Sequence, residues 1–304
     1  MPASDSDKPN TPDGSSGAEP FSGGRDVTAE LTSSGAQARL LHLSRPLEAL
    51  GRGFYGGLAR AGHAAALLVE CLYWVLFGRA ERQPVRVNAV VAEMMEIGVR
   101  AVPIVSVLSA TIGVMLAIQG IHTLRIFGAE SMVTIGISLS VLREFAPLIT
   151  AILVTGRSGS ALAARLGTMT INQEIDALRV MGINPVRFLV SPSLIALLVM
   201  VPALTLWADA LGLLAAGLYV SMELDISLTA YANHVLEVTR TADLAHGLGK
   251  SFIFATLIGL IAVINGAAVA GGAEGVGKAT THTVVQSIAA IVITDMLFVF
   301  IVTR

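Results

Sequence analysis

The sequence predicts an all-α integral membrane protein, with an N-terminal interfacial helix, five transmembrane helices and one short helix on the cytoplasmic side. Three observations carry this. The 304 residues are 54% hydrophobic and only 14% charged, and the mean hydropathy is +0.72, more apolar surface than one aqueous core can hide. Several stretches long enough to cross a bilayer hold no charged residue or one. Between two of them lies a polar island, TINQEIDALRVMGINP, Thr170 to Pro185.

Residues 1–39 are rich in Ser, Gly, Pro, Asp and Thr, and this composition predicts a disordered cytoplasmic tail. It has no basic stretch followed by an apolar run and a small-residue cleavage site, so no secretory signal is read there. The rest, residues 40–304, reads as one membrane domain. Ala61 to Phe77 (AGHAAALLVECLYWVLF) is short for a crossing, contains His63 and Glu70, and has arginines on both sides. A crossing would place one basic flank outside, whereas a helix lying in the interface keeps both inside, with Tyr73 and Trp74 at headgroup level.

Ala101 to Leu124 and Ser251 to Ala273 have no charged residue, Phe188 to Met222 has only Asp209, and Thr283 to Thr303 has only Asp295. The expected spans are residues 101–124, 192–218, 251–273 and 283–303. A further span is expected over 145–162. Arg143, Glu144 and Arg157 interrupt that region, so Ser131 to Leu142 reads as a separate short helix at the outer surface. With an inside N-terminus, five crossings put 15 of the 20 Lys and Arg residues in the cytoplasm and the C-terminus in the periplasm.

The polar island has the signals of a helix stopped at both ends, expected over residues 171–181. Thr170 with Gln173 fits a capping box, Glu174 and Asp176 suit the N-terminal dipole, Arg179 suits the other end, and Gly182 then Pro185 supply the stop. Eleven residues reach ~16 Å, half a bilayer core. Ile171, Ile175 and Leu178 share one face. Two readings follow: an amphipathic helix resting on lipid, or a docking element for a cytoplasmic partner.

Charges in spans need partners, water or an interface. Arg143 and Glu144, about 100° apart on a helix, look toward different neighbours: one is free to line a cavity for a lipid headgroup while the other pairs internally, or both anchor the span at the outer surface. Asp209 and Asp295 read as structural hydrogen-bonding groups, and Gln119 and Asn265 as interhelical contacts. Gly156, Ser160 and Ala164, and likewise Gly159, Ala163 and Gly167, form small-residue faces for close packing with the bundle or a second copy. The net charge of −2 argues against nucleic acid, and the single Cys71 leaves neither an intrachain disulfide nor a thiol cluster for a metal. The Gly272 to Ala279 stretch has phosphate-loop spacing but ends in Ala where Ser or Thr must hold magnesium, so no nucleotide site is read in this chain. An intramembrane aspartyl protease is the rival class, because two membrane aspartates can share a proton. The LWAD and VITD contexts of Asp209 and Asp295 lack the Tyr-Asp and Gly-x-Gly-Asp motifs it needs.

GRSGSALAARLGTMTINQEIDALRVMGINPVRFLVSP (156–192), LREFAPLITAIL (142–153), IGVMLAIQG (112–120) and GVGKATTHTVVQS (275–287) together resemble the MlaE (YrbE) family of ABC-transporter permeases. The resemblance covers about Leu50 to the end and implies much beyond the residues themselves. It implies a homodimer in the bacterial inner membrane, each chain with an elbow helix, five spans and a cytoplasmic coupling helix. It also implies a separate ATPase subunit, with ATP and magnesium bound there and not by this chain, and a periplasmic MCE-domain partner. The cargo would be phospholipid moved in support of outer-membrane lipid asymmetry. Arg143, Glu144 and Gln119 become candidates for the lipid path, and Ile171, Glu174, Asp176, Leu178 and Arg179 for the surface the ATPase pushes on. A non-transporting scaffold of an MCE complex is the alternative within that family.

If residues 61–77 lie in the interface, a chain without Cys71 that carries single cysteines at Arg52 or Arg86 keeps both shielded from an impermeant reagent outside right-side-out vesicles. Labelling at either position would refute the assignment.

Overall fold

A computed structural model describes residues 62–74 and 86–302. The expected tail and both ends of the expected interfacial helix lie outside these residues. Every regular element described is helical and no strand occurs among the described residues. In order they are α1 (62–74), α2 (Val87–Ile97), α3 (Val102–Arg125), α4 (Val133–Ser140), α5 (Ala146–Val154), α6 (Ser160–Ile171), α7 (Glu174–Val180), α8 (Ser191–Glu223), α9 (Leu228–Val238), α10 (Thr241–Ala267) and α11 (Gly272–Val302).

These combine into five helical units long and apolar enough to cross a membrane: Val87–Arg125, Glu130–Ile171, Val186–Glu223, Thr241–Ala267 and Gly272–Val302. In the first, one 3-10 turn joins α2 to α3, and Pro103 sits in the first turn of α3, where its missing N–H costs nothing. The third contains Pro202 in its interior.

Three expectations fail at their boundaries. Ser131 to Leu142 is not a separate surface helix: α4, α5 and α6 form one continuous unit of 42 residues. The charges read as breaks lie in π-helical turns at Val141–Phe145 and Thr155–Gly159, which re-aim side chains without ending the helix. The fourth unit starts at Thr241, ten residues before Ser251, because Asp243 and Lys250 have partners inside the bundle. The stretch from Gly272, expected to precede the last span at 283–303, forms the first turns of α11, with Glu274 and Lys278 paired at 2.7 Å.

Close approach of backbones sets the packing. A Cβ on Gly113 would stand 2.1 Å from the carbonyl oxygen of Gly212, so α3 and α8 touch main chain to main chain. A Cβ on Gly247 would stand 2.2 Å from the Leu142 oxygen, so α10 crosses the second unit beside Arg143 and Glu144. Of the two small-residue faces, the one holding Ala163 and Gly167 packs against Gly266 and Val269 of the fourth unit and the turn after it, while Gly156 faces open space.

Gly247→Ala therefore forces the crossing apart and lowers stability by about 1–3 kcal/mol. Gly156→Ala meets nothing within 4 Å and leaves stability unchanged or slightly raised. Thermal unfolding of the two variants in detergent separates these outcomes.

Candidate functional site

The crossing at Gly247 brings opposite charges of three helical units into one cluster. Arg143 donates to Asp243 Oδ1, with its Nε at 2.7 Å. Lys250 Nζ donates to Glu144 Oε2 at 2.5 Å and stands 2.9 Å from Asp295 Oδ1. The ring of Phe298 lies 5.7 Å from the ammonium and packs edge-on to His246 at 4.9 Å. Two cations thus face three carboxylates. Lys250 is nine residues into α10, ~14 Å from its start at 1.5 Å per residue, well inside the bundle.

Exposure divides the cluster. The Lys250 side chain is fully enclosed, whereas those of Arg143 and Glu144 are 46% and 37% exposed. A buried ammonium with two carboxylates is a structural lock. Arg143 is the part of the cluster that presents a cation to whatever lies beside the bundle. The expectation that Arg143 and Glu144 look toward different neighbours holds, but both neighbours belong to the chain itself.

The other expected residues are spread apart. Gln119 is exposed on a groove of about 280 Å³ between α3 and α4, lined also by Gly120, Thr123 and Gly136. Asn265 donates to Thr283 Oγ1 at 3.2 Å and to Gln286 Oε1 at 2.9 Å, tying α10 to α11. Asp209 is 5% exposed on α8, and its Oδ1 has no hydrogen-bond partner among the described residues. Asp295 pairs with Lys250, so a proton-sharing aspartate pair has no support.

At the end of the bundle bearing α7, the helix differs from its expected form. Thr170 is not an N-cap: its hydroxyl donates to Leu166 O at 2.8 Å, inside α6. The start signal was misplaced because that hydroxyl bonds backward into the preceding turn. Ile171 ends α6, and α7 begins at Glu174 after Gln173 adopts a left-handed φ of 59°. The expected stop is present, with Gly182 at φ 74° and Ile183 N–H donating to Leu178 O at 2.9 Å. Leu178 is buried in the chain's own bundle rather than displayed to a partner, and Ile175 is half-buried beside it. Glu174, Asp176 and Arg179 are exposed, with Asp176 and Arg179 paired at 3.0 Å. Val180 and Met181, 90% and 64% exposed, are the apolar side chains this segment does present.

Helix α1 is held against the entry to α8. Asn184 Nδ2 donates to Glu70 Oε1 at 2.9 Å, Arg187 lies over Trp74 at 5.5 Å, and Cys71 is buried beside Ser191. Nearby, Arg165 pairs with Glu93 and donates to Ser193 Oγ at 3.1 Å, fastening α2 to α6 and α8.

Asp243 and Lys250 were missed by sequence reasoning, which placed both outside the membrane. Their signal was present: Asp243, Gly247 and Lys250 follow i, i+4, i+7 spacing and so share one helical face.

Five long apolar units with a buried charge cluster between them define the class as a multi-pass helical membrane protein. The chain matches the family described as Permease MlaE over residues 90–301, and it belongs to that family. It is 30% identical over 235 residues to the Intermembrane phospholipid transport system permease protein MlaE of Haemophilus influenzae, covering 77% of this chain and 87% of that one. A probable ABC transporter permease protein of Rickettsia felis is 32% identical over 71% of this chain and 83% of its own. One of Synechocystis is 36% identical over 67% and 77%.

Lys250→Met leaves Glu144 and Asp295 without their shared cation and lowers stability by about 3 kcal/mol. Adding Glu144→Gln and Asp295→Asn restores most of it. Chemical unfolding of the single and triple variants checks this: equal losses in both would show that the stranded carboxylates are not what destabilises the single variant.

Proposed function

We propose that this chain is the membrane subunit of an ABC transporter that moves phospholipids between the inner membrane and a periplasmic MCE-domain partner, in support of outer-membrane lipid asymmetry. The observation that carries the reading is the extended similarity to the H. influenzae phospholipid-transport permease. The exposure of Arg143 at the edge of the charge cluster, where its side chain is 46% exposed, supports a lipid path there, since a guanidinium is suited to a phosphate.

In this reading α7 and the α1 end face the cytoplasm, and ATP with its magnesium is bound and hydrolysed on a separate ATPase. Glu174, Asp176, Val180 and Met181 form the surface it grips. Leu178 and Ile175 act on the other side of the helix, fastening it to the bundle so that a push on α7 reaches α6 and α8. The exposed Val180 and Met181 favour a protein cover over simple contact with water. A second copy of the chain completes the bundle. The open face at Gly156 supports this, as does the outward surface of the fifth unit, whose most apolar window is only 11% buried.

Val180→Asp combined with Met181→Asp lowers co-purification of the ATPase by at least about tenfold if these side chains anchor the contact. Reversing Glu174 and Asp176 to Lys weakens docking or uncouples ATP hydrolysis from lipid transfer. Both are measured on the full complex in proteoliposomes, with lipid transfer and ATPase rate side by side. Unchanged yield and rates in both variants would overturn the reading of α7.

A further inference from the structure

At the α7 end, far from the charge cluster, two cavities meet. The first holds about 280 Å³ between α1, α7, the segment leading into α8 and the ends of α6 and α10. Apart from His63 and Arg179 its lining is apolar, with Leu67, Ile175, Leu189 and Ile264 among the wall residues. The second, about 470 Å³ and more open, is lined by Glu70, Arg179 and the turn from Gly182 to Val186. Arg179, Pro185 and Val186 line both, so the two are contiguous. An apolar slot that opens into a polar recess is the shape complement of an amphiphile. The slot lies at the lower end of the ~300–1,000 Å³ of pockets that enclose a whole drug-sized ligand, so it takes part of one tail and leaves the rest of the molecule outside.

We propose that this double cavity binds a glycerophospholipid with a phosphate–ammonium headgroup, phosphatidylethanolamine in chemical class, as a resident lipid distinct from transported cargo. Part of one acyl tail fills the slot, the phosphate meets Arg179, and the primary ammonium meets Glu70. The charges choose the headgroup. Arg179 has five N–H donors and spends one on Asp176, leaving others for phosphate oxygens. Glu70 accepts from Asn184 through Oε1, and among the described residues no second hydrogen bond occupies its other oxygen, which suits a cation. A headgroup with only negative charge would meet the Glu70 carboxylate, and a trimethylammonium has no N–H to give it. Because Ile175 of α7 forms part of the slot wall, the bound tail props α7 against α1. That consequence rests on α7 being the ATPase-gripped helix, whereas the binding itself does not.

The test uses the purified full chain without any ATPase, so it stands apart from the transport reading. Native mass spectrometry compares retention of phosphatidylethanolamine, phosphatidylcholine and phosphatidylglycerol, and a phosphatidylethanolamine with a photoreactive tail maps the contact residues. The expected result is crosslinking within the wall that holds Leu67, Ile175 and Ile264. Retention of the ethanolamine lipid is expected to be roughly tenfold above the other two, the scale of one charge-assisted hydrogen bond. Glu70→Gln brings the ethanolamine and choline lipids level, and Arg179→Gln weakens all three. Ala267→Trp, on the exposed wall of the slot, removes these crosslinks and spares any elsewhere, and Ala268→Trp gives a second plug should the first fold poorly. Crosslinks only outside the slot, or equal retention of the three lipids, would overturn the proposal.

Discussion

The enclosed ammonium of Lys250 is the constraint around which the bundle is arranged. A charge at the centre of a lipid-facing helix costs ~2.5–3.5 kcal/mol on insertion scales, and burying one without a partner is costlier still. Glu144 and Asp295 meet that demand from two different helical units, so the second, fourth and fifth units have one mutual register. The glycine at 247 and the π-helical turn at Val141–Phe145 serve the same contact, one by letting backbones touch and the other by turning consecutive side chains toward separate partners. Arg143 with Asp243 extends the arrangement to the edge of the bundle.

The number of apolar units was legible because a bilayer imposes a length and a composition that few other environments demand. Their ends were not. Charges were taken as boundary marks, a sound rule for single helices facing lipid, and it fails where a partner lies on a distant part of the chain. Glu144 and Lys250 are 106 positions apart, and no local pattern reveals that they meet. The expected face of Ile171, Ile175 and Leu178 is divided, since Ile171 ends α6 and only Ile175 and Leu178 lie on α7, and periodicity does not say what covers a face: Leu178 is buried in the bundle. The apolar side chains this segment does expose are instead Val180 and Met181, which break no pattern and drew no attention. Thr170 shows the same limit for capping, since its hydroxyl bonds backward into α6.

The two ends of the bundle are built on different principles. At the α7 end, side chains from α1, α2, α6 and the segment leading into α8 interlock through Glu70 with Asn184, Arg187 with Trp74, and Glu93 with Arg165. At the opposite end, Arg125 joins Glu130 and Glu223 at 2.9 and 3.1 Å, and all three side chains are more than a third exposed. Exposed pairs of that kind contribute ~0–1 kcal/mol, so that end is held more by the buried Tyr231 of α9 than by its ion pairs.

The placement of Lys250 also bears on biogenesis. A chain emerging from a ribosome delivers the second unit before the fourth and the fourth before the fifth. Glu144 is therefore already in the membrane when Lys250 arrives, and Asp295 follows 45 residues later. The fourth unit enters lipid as a charged segment that a lone helix would carry at a cost, and Glu144 supplies its first counter-ion. Integration of this chain is consequently a cooperative event between non-adjacent segments, completed only when the fifth unit brings Asp295 to Lys250.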